Sequence, residues 1–564
     1  MLITKIYSSL IEVTPTNCPE VEEITKITLK RNEPFSFQAA YKLVDDEKDY
    51  IPMYVRIKSD LKVNYYYNAC VPVLHTNVPN LCEKRDVGLY PDMLMPKKRN
   101  PQLQVIEAPH DSYIVEKNED INLACYDDSW QTLWFCINED SATLKAGKYS
   151  LDLEFYNSLD GKLSDKKVIE VDLLDAKLMP QKLYYTNWFH YDCLADTHKV
   201  ELFSDEYFEI MSDYLKKASR NGMNMLLVPA FTPPLDTPIG KERMTVQLVK
   251  INYENRKYSF DFSLMKKFID VARKSRIKYF EHSHLFSQWG AKATPKIIVT
   301  VNGKEKHLFG WHTDAKSAKY KTFLRQYLTE LREFLKAEKL VGKVLFHISD
   351  EPDNSCLENY ISAFETVEEF FRGYMHGDAL WDYSFYERGI LKSPIVGAGS
   401  IYKFLGKCDN LWAYYTGNEI SDNLPNRTIV NTRCRNRSLG ILLYYYGIKG
   451  FLHWGYNFYY GILSHGRFDP RLNPCSVGGK AGTSFFVYPS EDGTALQSVR
   501  QKIFHEGLLD IRNLELLEKL SDKATSKALI EKYFGVPDFK NTVTTPEMFA
   551  DFSKELNEKI KELI

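Results

Sequence analysis

At 564 residues with 44% apolar side chains, the chain is long enough for more than one domain and has the material to fill large cores. Its net charge of −2, from interspersed acids and bases, leaves no basic tract or arginine stripe for nucleic acid, and no apolar run is long enough to span a bilayer. The first ten residues lack the apolar stretch and small-residue cleavage site of a signal peptide, and the ten cysteines include no CxxC pair. A cytoplasmic protein with free thiols is expected, without nucleic-acid or membrane partners.

Residues 1–178 read as all-β. Alternating segments at 54–58, 131–137 and 148–155 are separated by Gly, Pro, Asn and Asp turns, which is the pattern of a β-sandwich. A last strand at 167–174 leads through Met179-Pro180 into a different regime. From residue 181, strand-like runs at 183–188, 224–229, 277–282, 343–348, 374–379, 394–398, 410–415 and 450–455 alternate with helical ones. Ser204 is placed to cap a helix with Phe208, Met211, Leu215 and Ala218 on one face and Gly222 at its end. Ser263 is placed to cap another, with Leu264, Phe268 and Val271 inward. A longer one carries Tyr320, Phe323, Leu324, Tyr327, Leu331 and Phe334. Eight such units over 181–520 predict a (β/α)8 TIM barrel, closed by a helix at 499–520. Residues 521–564 form a helical C-terminal extension whose amphipathic helix at 546–563 offers a surface to the barrel or to a second subunit, so a homo-oligomer is an open expectation. The fold class is thus multidomain, β followed by α/β.

Barrel active sites lie at the C-terminal ends of the strands. Reading those ends gives Trp188, His190 and Asp192, then the stretch 231–237, then Glu281, His282 and His284 with Gln288 and Trp289. Further along come Trp381, Asp382 and Tyr383, then Tyr414 and Tyr415, then His453, Trp454 and Asn457. Aromatic faces with carboxylates and amides suit a sugar, and no Gly-rich phosphate loop competes. At the fourth strand, Val344-Leu345-Phe346-His347-Ile348-Ser349-Asp350-Glu351-Pro352 ends an apolar run in two adjacent acids. Neighbouring side chains on a strand point to opposite faces, so both acids serve one pocket only where the strand has ended. Pro352 disfavours the α region for Glu351 and is expected to hold it extended. Paired acids also occur as solvated strand ends, and the residues alone leave both readings open.

Several separated motifs, in order, carry a family resemblance: Phe231-Thr232-Pro233-Pro234-Leu235-Asp236-Thr237, Ser287-Gln288-Trp289-Gly290-Ala291-Lys292, Phe346 to Pro352, Gly450 to Asn457, Val487-Tyr488-Pro489 and Glu506-Gly507-Leu508-Leu509-Asp510. Over about 181–520 the chain resembles the glycoside hydrolase family 123-like catalytic domain, which is also usually preceded by a β-sandwich. The resemblance implies a retaining β-N-acetylgalactosaminidase that needs no cofactor. In that chemistry the substrate's own 2-acetamido oxygen attacks the anomeric carbon, an exception to the two-carboxylate scheme. Carried over, Asp350 orients the acetamido N–H and steadies the oxazolinium charge, while Glu351 protonates the leaving oxygen and then deprotonates water. The residues agree with this division. Consecutive Cα atoms lie about 3.8 Å apart, an awkward spacing for acids flanking a sugar from opposite faces, and close carboxylates push their pKa values apart.

Around them, Tyr414 or Tyr415 is a candidate partner for the acetamido carbonyl, Trp454 a stacking floor and Asn457 a hydroxyl ligand. Trp188, His190, His284, Trp289 and Trp381 complete the expected substrate lining. His282 and His284 form an H-x-H whose strand spacing turns both to one side; with no further ligand evident, buried hydrogen-bonded structure is expected rather than metal. Arg427, Arg433, Arg435 and Arg437 flank a helix and are expected to pair with barrel acids. The expected function is hydrolysis of terminal β-linked N-acetylhexosamine, N-acetylgalactosamine first, from an oligosaccharide or glycoside. The rivals are a glycosidase of the same barrel acting on another sugar, a carbohydrate-binding protein with an inactive site, and a metal-dependent barrel hydrolase.

Overall fold

The structure is a computed structural model that describes residues 1–44, 50–76, 85–96, 120–417, 419 and 423–564. Two sheets make up its N-terminal part. One runs, in spatial order, Leu2–Ser8, Phe35–Leu43, Gln131–Ile137, Val63–Val73, Gly88–Met95, Ala495–Ser498 and Val487–Pro489. The other runs Lys26–Lys30, Leu163–Leu174, Gly147–Asn157, Tyr50–Lys58 and Ile121–Tyr126. Alternation decides the facing: Leu151, Leu153 and Phe155 are buried while Ser150 is exposed and Asp152 half-buried. Phe37, Phe135 and Tyr41 from the first sheet share one core with Val55, Leu153 and Phe155 from the second.

The first sheet borrows its last two strands from far along the chain. Gln497 and Ser498 pair antiparallel with Leu94 and Met93. Ser498 also caps the helix Val499–Leu520 by accepting from the Gln501 N–H. In that helix's first turn, Arg500 pairs with Asp92 at 2.9 Å and Lys502 with Glu139 at 2.6 Å, all four nearly fully buried.

The site-bearing part is a single sheet of nine short strands, every pairing parallel. Its order is Met375–His376, Val344–Phe346, Tyr279–His282, Met225–Val228, Tyr184–Asn187, Gly450–His453, Trp412–Tyr414, Ile395–Gly397 and Ala379–Leu380. The two outermost strands in that order are neighbours in the chain, separated by Gly377 and Asp378. At that break the Asp378 carboxylate accepts from the backbone N–H groups of Ile348 and Ser349 at 3.0 and 3.3 Å, so a side chain supplies the pairing that the backbone does not.

The helix Asp205–Arg220 starts at Ser204, whose side chain accepts from Tyr207 N–H, and buries Phe208, Met211, Leu215 and Ala218. Ser263 is instead the first residue of its helix, and Asp261 takes its N–H at 2.8 Å. That helix buries Met265, Phe268, Ile269 and Ala272, leaving Leu264 and Val271 half-buried. The helix Ala318–Ala337 buries all of its predicted face except Phe334, which is half-buried. The helical layer thins beyond Asp378. A four-residue helix, Ser384–Glu387, and a three-residue 3₁₀ turn, Ile401–Lys403, stand where two full helices are expected for a complete set of β/α units. A four-stranded sheet (Lys257–Asp261, Lys250–Glu254, Ile297–Val301, Lys304–Phe309) is added in the loops that follow the strands Met225–Val228 and Tyr279–His282. Its hairpins turn at Asn255-Arg256 and Asn302-Gly303 with positive φ at both positions, as two-residue type I′ turns require.

Helices Lys523–Phe534 and Pro546–Leu563 pack on Val499–Leu520, and the last one also reaches the sandwich, where Asn557 donates to the Thr28 carbonyl at 3.0 Å. None of the described helices is long and apolar enough to cross a membrane. Nine cysteines are free thiols; Cys82 lies outside the described residues.

Candidate active site

A cavity of about 440 Å³ opens at the C-terminal ends of the parallel strands. Trp188, His190, Trp289, Asp350, Glu351, Trp381, Tyr414 and Trp454 line it, together with Asp236, Gln288, Thr416, Glu419, Lys480 and Thr483.

The strand Val344–Phe346 ends four residues before Asp350, so alternation no longer separates the two acids. Glu351 is not extended, as Pro352 suggested. It has φ +45°, a left-handed conformation that costs a non-glycine residue about 1–3 kcal/mol and is kept where the surroundings enforce it. The surroundings are explicit. Glu351 N–H donates to the Ala379 carbonyl at 3.1 Å, and the Asp350 carbonyl accepts from Trp289 N–H at 2.7 Å. The Ser349 hydroxyl accepts from the N–H groups of Gly290 and Ala291, both at 3.2 Å. Gly290 has to be glycine: a Cβ there would lie 2.3 Å from Cys356. The kink turns consecutive carboxylates into one cavity.

Both acids hold their protons above the usual carboxylate range. Asp350 is pushed well up by burial, then by the charges of Glu351 and Asp378, with His347 pulling the other way. Burial also raises Glu351, against the Tyr414 hydroxyl, which donates to its Oε1 at 2.8 Å. No protein donor reaches the Asp350 carboxylate among the described residues, so its oxygens face the cavity.

Beneath the acids lies a buried ionic layer. His347 sits between Glu281 at 2.9 Å and Asp378 at 3.2 Å. Burial opposes its charge, but the hydrogen bonds to Asp378 and Glu281 outweigh it and carry the imidazolium to about 10. Glu281 also accepts from the Trp188 indole at 2.9 Å and from Thr186, while Asp378 accepts from Tyr360 at 2.5 Å. The potential ligand atoms of His284, His347 and Asp378 lie within 4.8 Å of one another. Both His347 nitrogens are engaged by carboxylates, however, and the rings of His284 and His347 stack at 4.7 Å and 19°, which sets their nitrogens side by side rather than converging. This donor set fits a proton-bearing ion pair better than a metal.

The structure separates the remaining predicted residues. His282 and His284 diverge, because the strand ends at His282. His282 turns outward to Tyr327 at 2.8 Å, and His284 lies under the floor, edge-on to Trp188. Tyr415 faces away from the cavity against Phe451 and His453, which leaves Tyr414 as the inward member of the pair. Asn457 is buried and clasps the His190 backbone through its N–H at 2.9 Å and its carbonyl at 3.2 Å. His190 has both ring nitrogens occupied, one by the Trp454 carbonyl and one by Arg243, and burial drops its pKa to about 3, so it presents a neutral ring. Of the four arginines, Arg437 pairs with Asp510 and Glu506. Arg433 and Arg435 instead donate to the carbonyls of Ser9, Ile11 and Leu424, and Arg427 to His453 and the Gly455 carbonyl.

A family model described as glycoside hydrolase 123, catalytic domain, matches residues 188–517. The chain belongs to glycoside hydrolase family 123. That membership makes it a glycosidase by family, with a carbohydrate as substrate. Among solved structures, a family 123 glycoside hydrolase from Clostridium perfringens, determined in a study of glycolipid glycan hydrolysis, matches with a TM-score of 0.70 at 14% identity, covering 100% of this chain and 97% of that one. A likeness at that identity shows the fold. A putative β-galactosidase from Bacteroides fragilis (TM-score 0.30, 9% identity, 88% of this chain and 60% of that one) and a calcium-binding mutant of β-glucuronidase 2 from Bacteroides uniformis (0.28, 11%, 88% and 48%) are much more distant. No curated protein matches the chain.

For a family 123 chain, the residues that strand-end reading passed over are those on long loops. Glu419, Lys480 and Thr483 come from connections with no periodic pattern, and no local signal marks them. Asp236 and Gln288 stood among the strand-end residues and in recognised motifs, without a place in the expected substrate lining.

Proposed function

We propose that the protein is a retaining β-N-acetylhexosaminidase, with N-acetylgalactosamine as the preferred terminal sugar, working by substrate-assisted catalysis. The observation that carries the proposal is the left-handed turn at Glu351, which brings two consecutive carboxylates into one cavity with different partners. Asp350, with no protein donor on its carboxylate among the described residues, accepts from the substrate's acetamido N–H. The acetamido oxygen then attacks the anomeric carbon, and the positive charge of the oxazolinium favours the ionised form of Asp350. Burial favours the protonated form of Glu351, which suits it to donate to the leaving oxygen and afterwards to take a proton from the water that opens the ring. Tyr414, already bonded to Glu351, is positioned to orient it and to meet the acetamido carbonyl; Trp454 and Trp188 offer faces to the sugar ring. Glu281, an alternative nucleophile at a strand end, is fully buried and spent on Thr186, Trp188 and His347.

On the same reading the parallel sheet is a closed (β/α)8 barrel over 181–520 with its seam at Gly377-Asp378, preceded by a sandwich over 1–178 and followed by a helical extension over 521–564. The test is hydrolysis of p-nitrophenyl β-N-acetylgalactosaminide, β-N-acetylglucosaminide and β-galactoside by the wild type, Asp350→Asn and Glu351→Gln. Turnover confined to the acetamido sugars and lost in both variants is expected. Turnover of the plain galactoside would overturn acetamido participation.

A further inference from the structure

Glu419 is a cavity-lining carboxylate that the proposed mechanism does not use. Its seat is built for it. The Gly399 N–H donates to one carboxylate oxygen at 3.0 Å and the Thr416 N–H to the other at 3.1 Å. A Cβ on Gly397 would lie 2.7 Å from Glu419 Oε1, so that glycine leaves the room the carboxylate occupies. Asn426 pins the loop beneath it, donating to the carbonyls of Thr416 at 2.9 Å and Glu419 at 3.0 Å.

No lysine or arginine pairs with Glu419 among the described residues, and burial, against those two N–H donors, moves its pKa up to about 7. Placing a carboxylate there without a counter-charge costs stability, and a neutral side chain would be easier to bury. Among the described residues each oxygen has one protein donor and therefore keeps a further acceptor site. It lines the same cavity as Asp350, Glu351 and Tyr414, close enough for the charge of Glu351 to raise it and for its own charge to raise Tyr414. Asp350 and Glu351 attend to the anomeric carbon and the 2-acetamido group. The donors left on the sugar are its other hydroxyls.

We propose that Glu419 is a specificity-determining residue that accepts hydrogen bonds from the pyranose hydroxyls remote from the anomeric carbon. The inference rests on the glycosidase reading of the cavity given above. It makes Glu419 the part of the site that distinguishes one acetamido sugar from its epimer.

The experiment measures kcat/KM for the wild type, Glu419→Gln and the charge-keeping Glu419→Asp on p-nitrophenyl β-N-acetylgalactosaminide and its 3-, 4- and 6-deoxy analogues. Glu419→Gln is expected to lose about 10- to 100-fold on the parent, the worth of a hydrogen bond to a charged group. On the analogue that lacks the contacted hydroxyl, wild type and variant should converge. An equal loss on all four substrates would mean that Glu419 only supports the loop, and no loss on any would mean that it touches no substrate; either result overturns the inference alone. A wild type that turns over none of the four would overturn this inference together with the reading it rests on. Should Glu419→Gln fail to fold, Glu419→Asp carries the same comparison.

Discussion

The floor and the rim of the cavity are built on opposite terms. The floor consists of Glu281, His347, Asp378 and Tyr360, buried and bonded to one another, with Asp378 also holding the backbone that leads to Asp350. At the rim stand Trp289 and Trp381, each about 40% exposed, and Ile462, more exposed still. Fixed charge below sets where the two acids point. The indoles above stand half in solvent at the mouth of the cavity. Under the proposed function, precision at the reacting centre comes from groups that do not line the cavity, and breadth of acceptance from exposed groups at its mouth.

The largest expected effect comes from breaking the floor. Asp378→Ala strips His347 of a carboxylate and leaves the Ile348 and Ser349 N–H groups without their acceptor, so unfolding should cost about 3–5 kcal/mol less. Calorimetry should show the lower Tm, with activity lost alongside it. Glu351→Gln keeps the floor and should leave Tm nearly unchanged while kcat falls by about 10²- to 10⁴-fold. Its pH profile sharpens the point: a raised carboxyl pKa keeps the acid form to higher pH, so the wild type's basic limb should lie above the ordinary glutamate value of about 4.3, and the variant should lack it.

The floor has a pH signature of its own. His347 titrates near 10 when folded and near 6.5 when unfolded. Its contribution to stability is therefore fully present below about 6.5 and lost as pH rises towards 10. Denaturant unfolding at a series of pH values should show that decline, flattened in His347→Gln. The smallest effect belongs to the rim. Trp381→Ala should lower kcat/KM by about 2- to 10-fold, with Tm unchanged.

Much of this contrast was legible in the sequence. The eight strand positions and the Asp350-Glu351 end were read from hydrophobic runs and from where they stop. The split at Gly377-Asp378 was not, because a side chain standing in for backbone pairing leaves no periodic trace. Tyr414 and Tyr415 were left open since a one-residue register decides which faces in. His284 and Asn457 carry site-like chemistry but serve beneath the surface, one under the floor and one clasping His190. Glu419 was invisible, a lone acid on a loop whose seat is made by Gly397 and Gly399, about twenty residues upstream. The four-stranded outgrowth did have a signal, Asn302-Gly303, that a hairpin search would have caught.

The central claim is that the nucleophile is the substrate's acetamido oxygen, and it is tested most directly by a series of aryl β-N-acylgalactosaminides whose N-acyl group carries zero to three fluorines. The account predicts that log kcat falls steadily with each fluorine, as electron withdrawal weakens the attacking oxygen. A rate indifferent to fluorination would contradict it and return the search to a protein nucleophile.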